Sequence, residues 1–598
     1  MSLIAVILIA AGCFLAAILS LAVGGTFRNR VMGACGAIAI AVGLVSYAYA
    51  YTLGAGFSVA AILKTLLTVC RMFGGVNDYA AVASTPLFQN RAVVALFWLG
   101  HFLAFYITAS AAVEVLGRRL LKFIRLRLLR RGDLRLIYDA DPETLPIATR
   151  EGRGVSAVFV AEGDGDAMSG AVESMNGVLF NDGAAMCASE RFLKGLGIQG
   201  DRRNLDVYCL GRDDARNLRY ADALLSGLEA RGVNPDRTSL FLLGVPEEKA
   251  ARLQAREGHG GYGTVFACDR YELIARLAVQ KCPPWDCLEY DGHARATGDF
   301  CAFVVGFGRM GRAMLKQLIV NGQMEGSAFH AEVFDRRMGD LQGYMDACFP
   351  ALMEAYDIAL NAGDGDSGGF YERLSARTPS VIALCTGSRT QNAELARDLS
   401  RLYAGRAGRP RVLQCDADSV FVDDVEYRLG GVDVRSMDRA AKVLNHTYCQ
   451  GPSPEADWRA CDPFGRASSR ASADFFPAFL RAAGISREEA MGGRWPPPEE
   501  ALENMARTEH LRWCAFHYAM GYAPMSDAER ASRAEQYRAG KLTRVSKNAE
   551  GMTHACLTPW EALDALSAWE NGVTGGTVDY KAMDRNNVLA IPELLRRL

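Results

Sequence analysis

Gly306-Phe307-Gly308-Arg309-Met310-Gly311 sets three glycines at the spacing of a phosphate-cradling loop, and Asp335 follows roughly 20 residues on. The run Cys301-Ala302-Phe303-Val304-Val305 before the loop reads as a buried strand. Residues 312–320 read as a helix, and 330–334 as a strand ending at Asp335. In that setting the first glycine allows a tight turn, the second lets a phosphate approach the backbone, and the third lets helix and strand pack closely. Helix amides then face the phosphates while Asp335 holds ribose hydroxyls. Arg309 and Arg312, at the helix start, offer guanidinium groups for further phosphate contacts. The expected cofactor is NAD(H) or another nucleotide, held by Gly306, Gly308, Arg309, Gly311, Arg312 and Asp335. The alternative is a turn of this kind kept for packing alone.

No Tyr-Lys or His-Asp pair follows the fingerprint in a recognisable place, so no catalytic residue is assigned and the chain is not expected to be an enzyme. A membrane-anchored NAD(P)-dependent oxidoreductase remains open from the fingerprint alone. The 16 cysteines lie scattered in apolar runs, the usage of buried reduced thiols. Cys282 and Cys287 are the one close pair; no second pair accompanies them, and no metal is expected. The acidic loops at 163–166 and 363–366 lack calcium-loop spacing and read as solvated turns. A formal net charge of -2 gives no global basic field, so nucleic acid is not an expected partner.

The glycine loop requires a sheet behind it. Residues 134–139, 156–161, 205–210, 239–245 and 263–268 read as buried parallel strands, with helical stretches such as 216–230 and 271–280 between them. This first unit, 134–290, has Tyr138-Asp139-Ala140-Asp141 where glycines would stand, and two acids there would repel a pyrophosphate. It is read as a degenerate partner that shapes or dimerises the second unit, 295–430, whose sheet continues through 358–361 and 381–385. Strand-helix alternation of this kind implies tandem Rossmann-like α/β domains, each a doubly wound parallel sheet.

The opening fifth of the chain is almost uncharged. Residues 3–23 and 31–53 carry no charge, and 91–116 are interrupted only by His101 and Glu114. Each run can cross a hydrocarbon core of ~30 Å as a helix. Arg28 and Arg30 follow the first run, and a basic linker, 118–133, with Arg118, Arg119, Lys122, Arg125, Arg127, Arg130 and Arg131, follows the third. Positive charges stay inside, so the expected protein is multi-pass in the plasma membrane, with its N-terminus outside and its bulk cytoplasmic. Its membrane partner is lipid, with the basic run at the headgroups. Residues 57–73 form an apolar helix with Lys64 and Arg71, ended by Gly74-Gly75; at 1.5 Å per residue it reaches about 25 Å, short for a crossing. Span, re-entrant helix, span is the plan of a pore. Gly74, Gly75, Asn77 and Asp78 then stand at the filter position, and His101 is an ionisable group inside a span. The carbonyl ladder of a potassium filter is missing. An interfacial helix with an outer loop is the alternative.

A pore-like membrane part, a basic linker and a Gly-Phe-Gly-Arg-Met-Gly Rossmann unit together resemble potassium-transport regulators of the TrkA-N, or RCK, type. The resemblance covers the fingerprint unit well and the tandem arrangement loosely. It implies Rossmann domains that bind nucleotides or ions and drive a gate. The assembly is expected to be a homo-oligomer, a dimer of Rossmann units or a tetramer, since three spans cannot enclose a pathway.

Residues 431–495 read as a helical linker ending at Trp495-Pro496-Pro497-Pro498. Beyond it, Glu509-His510-Leu511-Arg512-Trp513 with Gly521-Tyr522, then residues 554–563 with Trp560, and Lys581, Asp584, Arg585 and 591–595, are similar to the RyR domain first known from ryanodine receptors. Tyr522 stands where tryptophan is common. The resemblance implies a small, mainly α module at 496–598 with a ligand-sensing or interaction role; its candidate ligand residues are Glu509, His510, Arg512, Trp513, Tyr522 and Trp560. Core packing is the other account of both tryptophans. The expected function is a ligand-gated, ion-channel-like membrane protein regulated by its Rossmann and RyR-like domains, or else a non-conducting membrane sensor or scaffold.

Overall fold

The computed structural model describes residues 25–598 apart from 54–55, 129–131, 151–154, 164, 176, 182, 184, 256–259 and 407. The apolar run 3–23 lies outside the described residues, as do the side chains of Glu114 and of the basic run 118–131. The chain divides into two compact units, Met1–Arg131 and Gly132–Leu598.

In the first unit, α1 spans Gly25–Thr52, α2 Val59–Met72 and α3 Arg91–Leu128. Val31–Thr52 and Arg91–Ala111 are long and apolar enough to cross a membrane. The α2 helix starts where the Ser58 side chain accepts the Ala61 amide. Ala61, Thr65, Val69 and Met72, at spacings of four and three residues, form its buried face, while Ile62, Leu63, Leu66 and Leu67 are exposed. It stops at Phe73, and Gly75 turns the chain at φ +77°. The basic stretch expected as a linker continues α3 without a break as far as Leu128. Leu, Lys and Arg favour helix there, and no proline interrupts them.

The second unit holds two large sheets, the first parallel and the second mainly so. The first comprises β1 Leu134–Tyr138, β2 Ser156–Val160, β3 Val178–Phe180, β4 Leu205–Cys209, β5 Thr238–Leu243 and β6 Thr264–Cys268, in the order β3-β2-β1-β4-β5-β6. Every pairing is parallel, so the degenerate unit keeps the full doubly wound order. The second sheet has β7 Phe300–Val305, β8 Phe329–Asp335, β9 Asp357–Ala362, β10 Val381–Leu384 and β11 Arg411–Cys415, then β12 Ser419–Val422 and β13 Val425–Arg428. Its order is β13-β12-β11-β10-β7-β8-β9, and the last two strands are antiparallel. The short β3, β11 and this hairpin escape the sequence reading, because none presents a long apolar run. The central strand β7 is buried along its whole length, as its unbroken apolar sequence requires.

Helices α4 (Asp214–Ala230) and α5 (Arg270–Lys281) follow β4 and β6, and α6 (Arg309–Asn321) follows β7. The α5 and α6 helices pack together and join the two sheets. Residues 431–495, expected as a linker, are core: α7 (Arg439–Cys449) and α8 (Pro463–Ala483) bury Phe475, Ala478 and Phe479 beside Trp285. Ion pairs of both polarities also tie this stretch to the first sheet's unit. Asp438 binds Arg276 at 3.0 Å and Arg470 at 2.7 Å, and Arg466 reaches Glu247 at 2.8 Å. The C-terminal part adds α9 (Glu499–Ala519), α10 (Leu563–Thr574) and α11 (Tyr580–Leu589), with a small three-stranded sheet.

Candidate functional site

The order of the second sheet reverses between β7 and β10, so the loops after these strands part and leave a crevice. The glycine loop lies on that crevice. Gly306 sits at φ +92°, and a Cβ there would stand 2.4 Å from the Cys385 carbonyl. A Cβ on Gly311 would stand 1.9 Å from the Gly306 carbonyl. A Cβ on Gly308 would meet nothing within 4 Å, although Gly308 caps α6 and offers its first amides no side-chain acceptor. The helix start is therefore uncapped beneath open space, where an anion can take those amides. Asp335 steadies the loop: Oδ2 accepts the Phe307 N–H at 2.7 Å and Oδ1 the Arg337 N–H at 2.8 Å. Each carboxylate oxygen keeps a lone pair for a ribose hydroxyl. Arg336 lies next to it and reaches Asp364 at 3.1 Å.

The two arginines of the fingerprint are held by protein groups. Arg309 crosses to the first sheet's unit, 2.6 Å from Asp269 and 3.3 Å from Asp214, and lies over the Tyr271 ring at 4.6 Å. Arg312 donates through Nε to the Phe307 carbonyl at 3.3 Å and stacks on Tyr344 at 4.5 Å. The two acids of the degenerate loop are likewise committed. Asp139 accepts the Glu162 amide at 3.3 Å, and burial raises its pKa. Asp141 accepts the Glu143 and Thr144 amides and pairs with Arg212 at 2.8 Å. Asp418, in the turn before β12, closes this mouth from the second sheet by bonding Arg212 at 3.1 Å and Arg270 at 2.5 Å.

In the first unit, Tyr47 brings two of the expected pore residues together. Its hydroxyl donates to His101 Nε2 at 2.9 Å and accepts the Asp78 N–H at 3.2 Å. His101 Nδ1–H donates to the Phe97 carbonyl at 2.9 Å, which leaves Nε2 as the acceptor. Tyr51 donates to the Asp78 carboxylate at 2.7 Å. Gly74, Gly75 and Asn77 are exposed. Tyr47 and Tyr51, one helical turn apart in an otherwise apolar run, were the signal in the sequence for this polar cluster.

In the C-terminal part, Glu509 and Arg512 form a buried two-pronged pair at 2.8 Å for both bonds. His510 Nε2–H donates to the Thr558 carbonyl at 2.8 Å, and Nδ1 lies 3.5 Å from Asp584. Burial opposes its charge, but Asp584 and Cys514 outweigh burial and raise its pKa to about 10. Glu509, His510, Arg512 and Trp513 line one cavity of about 590 Å³. Trp560, bonded to Glu503 at 3.1 Å, and Tyr522, packed on Phe464, stand outside that lining. Asn445, Tyr448 and Phe464, from the stretch expected as a linker, complete the wall.

Among solved structures, the chain is similar to "GsuK Channel", at 16% identity over 67% of this chain and 89% of that one, with a TM-score of 0.31. "Crystal structure of the GsuK bound to ADP" gives 16% identity over 66% and 88%, with a TM-score of 0.30. "Crystal Structure of the GsuK RCK domain" gives 14% over 48% and 69%, with 0.28. Likeness this loose leaves the fold to be read from the strand order itself. No family model and no curated protein matches the chain.

Proposed function

We propose that the chain is a ligand-regulated, channel-like membrane protein. A nucleotide seated at the 306–311 loop biases the joined sheets, and an oligomer of the N-terminal unit forms the pathway. The observation that carries this reading is the uncapped start of α6 beneath the open space at Gly308, with Asp335 beside it for a ribose. Arg336, next to Asp335 and largely exposed, suits a 2′-phosphate as well. The pathway rests on two apolar helices with the short α2 between them and on the exposed Gly74, Gly75 and Asn77. One hairpin encloses no pore, so the working form is a homo-oligomer, with the soluble bulk on the cytoplasmic side of the plasma membrane. The RyR-like C-terminal part supplies a second input.

The test is calorimetry with NAD, NADPH and ADP on the full chain in lipid nanodiscs, paired with ion flux in liposomes. The reading expects one nucleotide to bind, Gly308→Glu to abolish that binding, and flux to change with the same nucleotide. Absence of binding by all three overturns the nucleotide site. Binding without flux under any ion gradient overturns the pore and leaves a non-conducting sensor.

A further inference from the structure

The cavity in the C-terminal part has walls from two sources. The α9 and α11 helices supply Arg512, Trp513 and Asp584; α7 and α8 supply Asn445 and Phe464. Its volume of about 590 Å³ falls inside the range of small-molecule sites. The carboxylates on the wall are already engaged: Glu509 by Arg512, Asp584 by His510, Glu570 by the Tyr580 hydroxyl and Asp462 by the Gly465 amide.

The spare groups are donors. Arg512 is 1% exposed, yet its Nη1 has no hydrogen-bond partner, and neither has Nδ2 of the buried Asn445. Each such buried, unmet donor costs about 1–3 kcal/mol, a cost that an acceptor from outside would remove. Lys547 has no ion-pair partner among the described residues and rests over the Phe464 ring at 3.9 Å. His554 Nδ1 accepts the Cys556 amide at 3.1 Å, so a neutral ring keeps its proton on Nε2 as one more donor. Trp513 is half-buried; its ring centroid lies 3.7 Å from that of His517, His554 meets it edge-on at 4.8 Å, and His510 lies parallel at 6.4 Å.

We infer that this cavity binds a small organic anion carrying a planar ring, its charge met by Arg512, Asn445 and Lys547 and its ring by Trp513. The inference is independent of the nucleotide loop, and its test is run with that loop disabled. Adenosine 5′-monophosphate, adenosine and inorganic phosphate are titrated by calorimetry into full chain carrying Gly308→Glu. The expected result is binding of the monophosphate, at least tenfold weaker binding of adenosine and of phosphate, and at least tenfold loss in Lys547→Met with an unchanged Tm. Arg512→Lys keeps the charge against Glu509 and serves as the second variant. No binding of the monophosphate, or binding indifferent to both variants, overturns the site. Phosphate binding as tightly as the monophosphate overturns the ring contact.

Discussion

Arg309 Nη2 lies 2.6 Å from Asp269 Oδ2, so the first residue of the fingerprint helix is tied to the first residue before α5, in the other sheet's unit. Asp269 also caps α5 by accepting the Tyr271 amide at 2.8 Å. One carboxylate thus sets both the start of a helix and the approach of the two sheets. In the proposed function, a nucleotide at the α6 start would act on this tie.

Asp269→Asn keeps the cap and removes the charge. A double-mutant cycle with Arg309→Ala is expected to give a coupling of about 0.5–1 kcal/mol, the range of partly exposed ion pairs. Urea unfolding of the four proteins measures it. A coupling near zero dissolves the tie.

Gly308→Ala and Gly311→Ala separate binding from folding. The first adds a methyl where nothing stands within 4 Å and leaves Tm in place, while nucleotide affinity falls. The second drives a methyl into the Gly306 carbonyl and costs about 1–3 kcal/mol of stability. Equal loss of stability in both would contradict the geometry.

Asp438 is buried between Arg276 and Arg470. Burial pushes its pKa up, but the two guanidinium groups outweigh burial and hold it well below the usual carboxylate range. A depressed carboxylate stabilises the fold above its unfolded pKa of about 3.9, and that stability drains away as pH falls below it. Asp438→Asn is expected to cost about 1–3 kcal/mol at pH 7, because Arg276 and Arg470 each lose one charged partner and keep Asp474 and Glu247. Thermal unfolding at pH 7 and pH 3 checks this: the gap between wild type and variant narrows in acid.

His554 titrates with the opposite consequence. Burial, helped by Lys547, lowers it to about 3, so the unfolded chain takes up a proton below about 6.5 that the folded chain refuses. Stability from this residue falls as pH drops from about 6.5 towards 3, by at most about 1.4 kcal/mol per pH unit. His510, raised to about 10, acts in the other direction: its stabilisation is full well below about 6.5 and is lost as pH rises towards 10, so its slope lies mainly above that window. His554→Gln should reduce the slope of the stability profile between pH 6 and pH 4, leaving the part due to His517, which burial also depresses; an unchanged slope would refute the assignment.

Tyr47→Phe removes a hydroxyl that serves His101 and the Asp78 amide together. Leaving the buried His101 Nε2 unmet is expected to cost about 1–3 kcal/mol. Heat-induced loss of the membrane unit's near-ultraviolet dichroism in detergent reports it, and Tyr51→Phe should cost less, because Tyr51 is only half-buried.

Much of the frame was legible because it depends on neighbours along the chain. The apolar run 300–305 could only be an interior strand, and Gly306 and Gly311 could only be a turn and a close contact, as the 2.4 Å and 1.9 Å clashes confirm. Residues 31–52 and 91–111 announced themselves by the absence of charge. Three residues of β3 carried too little pattern to be seen, and the β12–β13 hairpin has no alternation long enough to identify.

The amino-acid order by itself determined the strands with long apolar runs, the glycine loop and the apolar helices, since periodicity and steric demand act over a few residues. Only the tertiary structure decided that Arg309 faces Asp269, that Tyr47 joins His101 to Asp78, and that Asn445 shares a cavity with Arg512. The physical reason is that a buried polar group must find a partner on whatever surface folding brings to it. That surface is set by contacts between residues far apart in the chain.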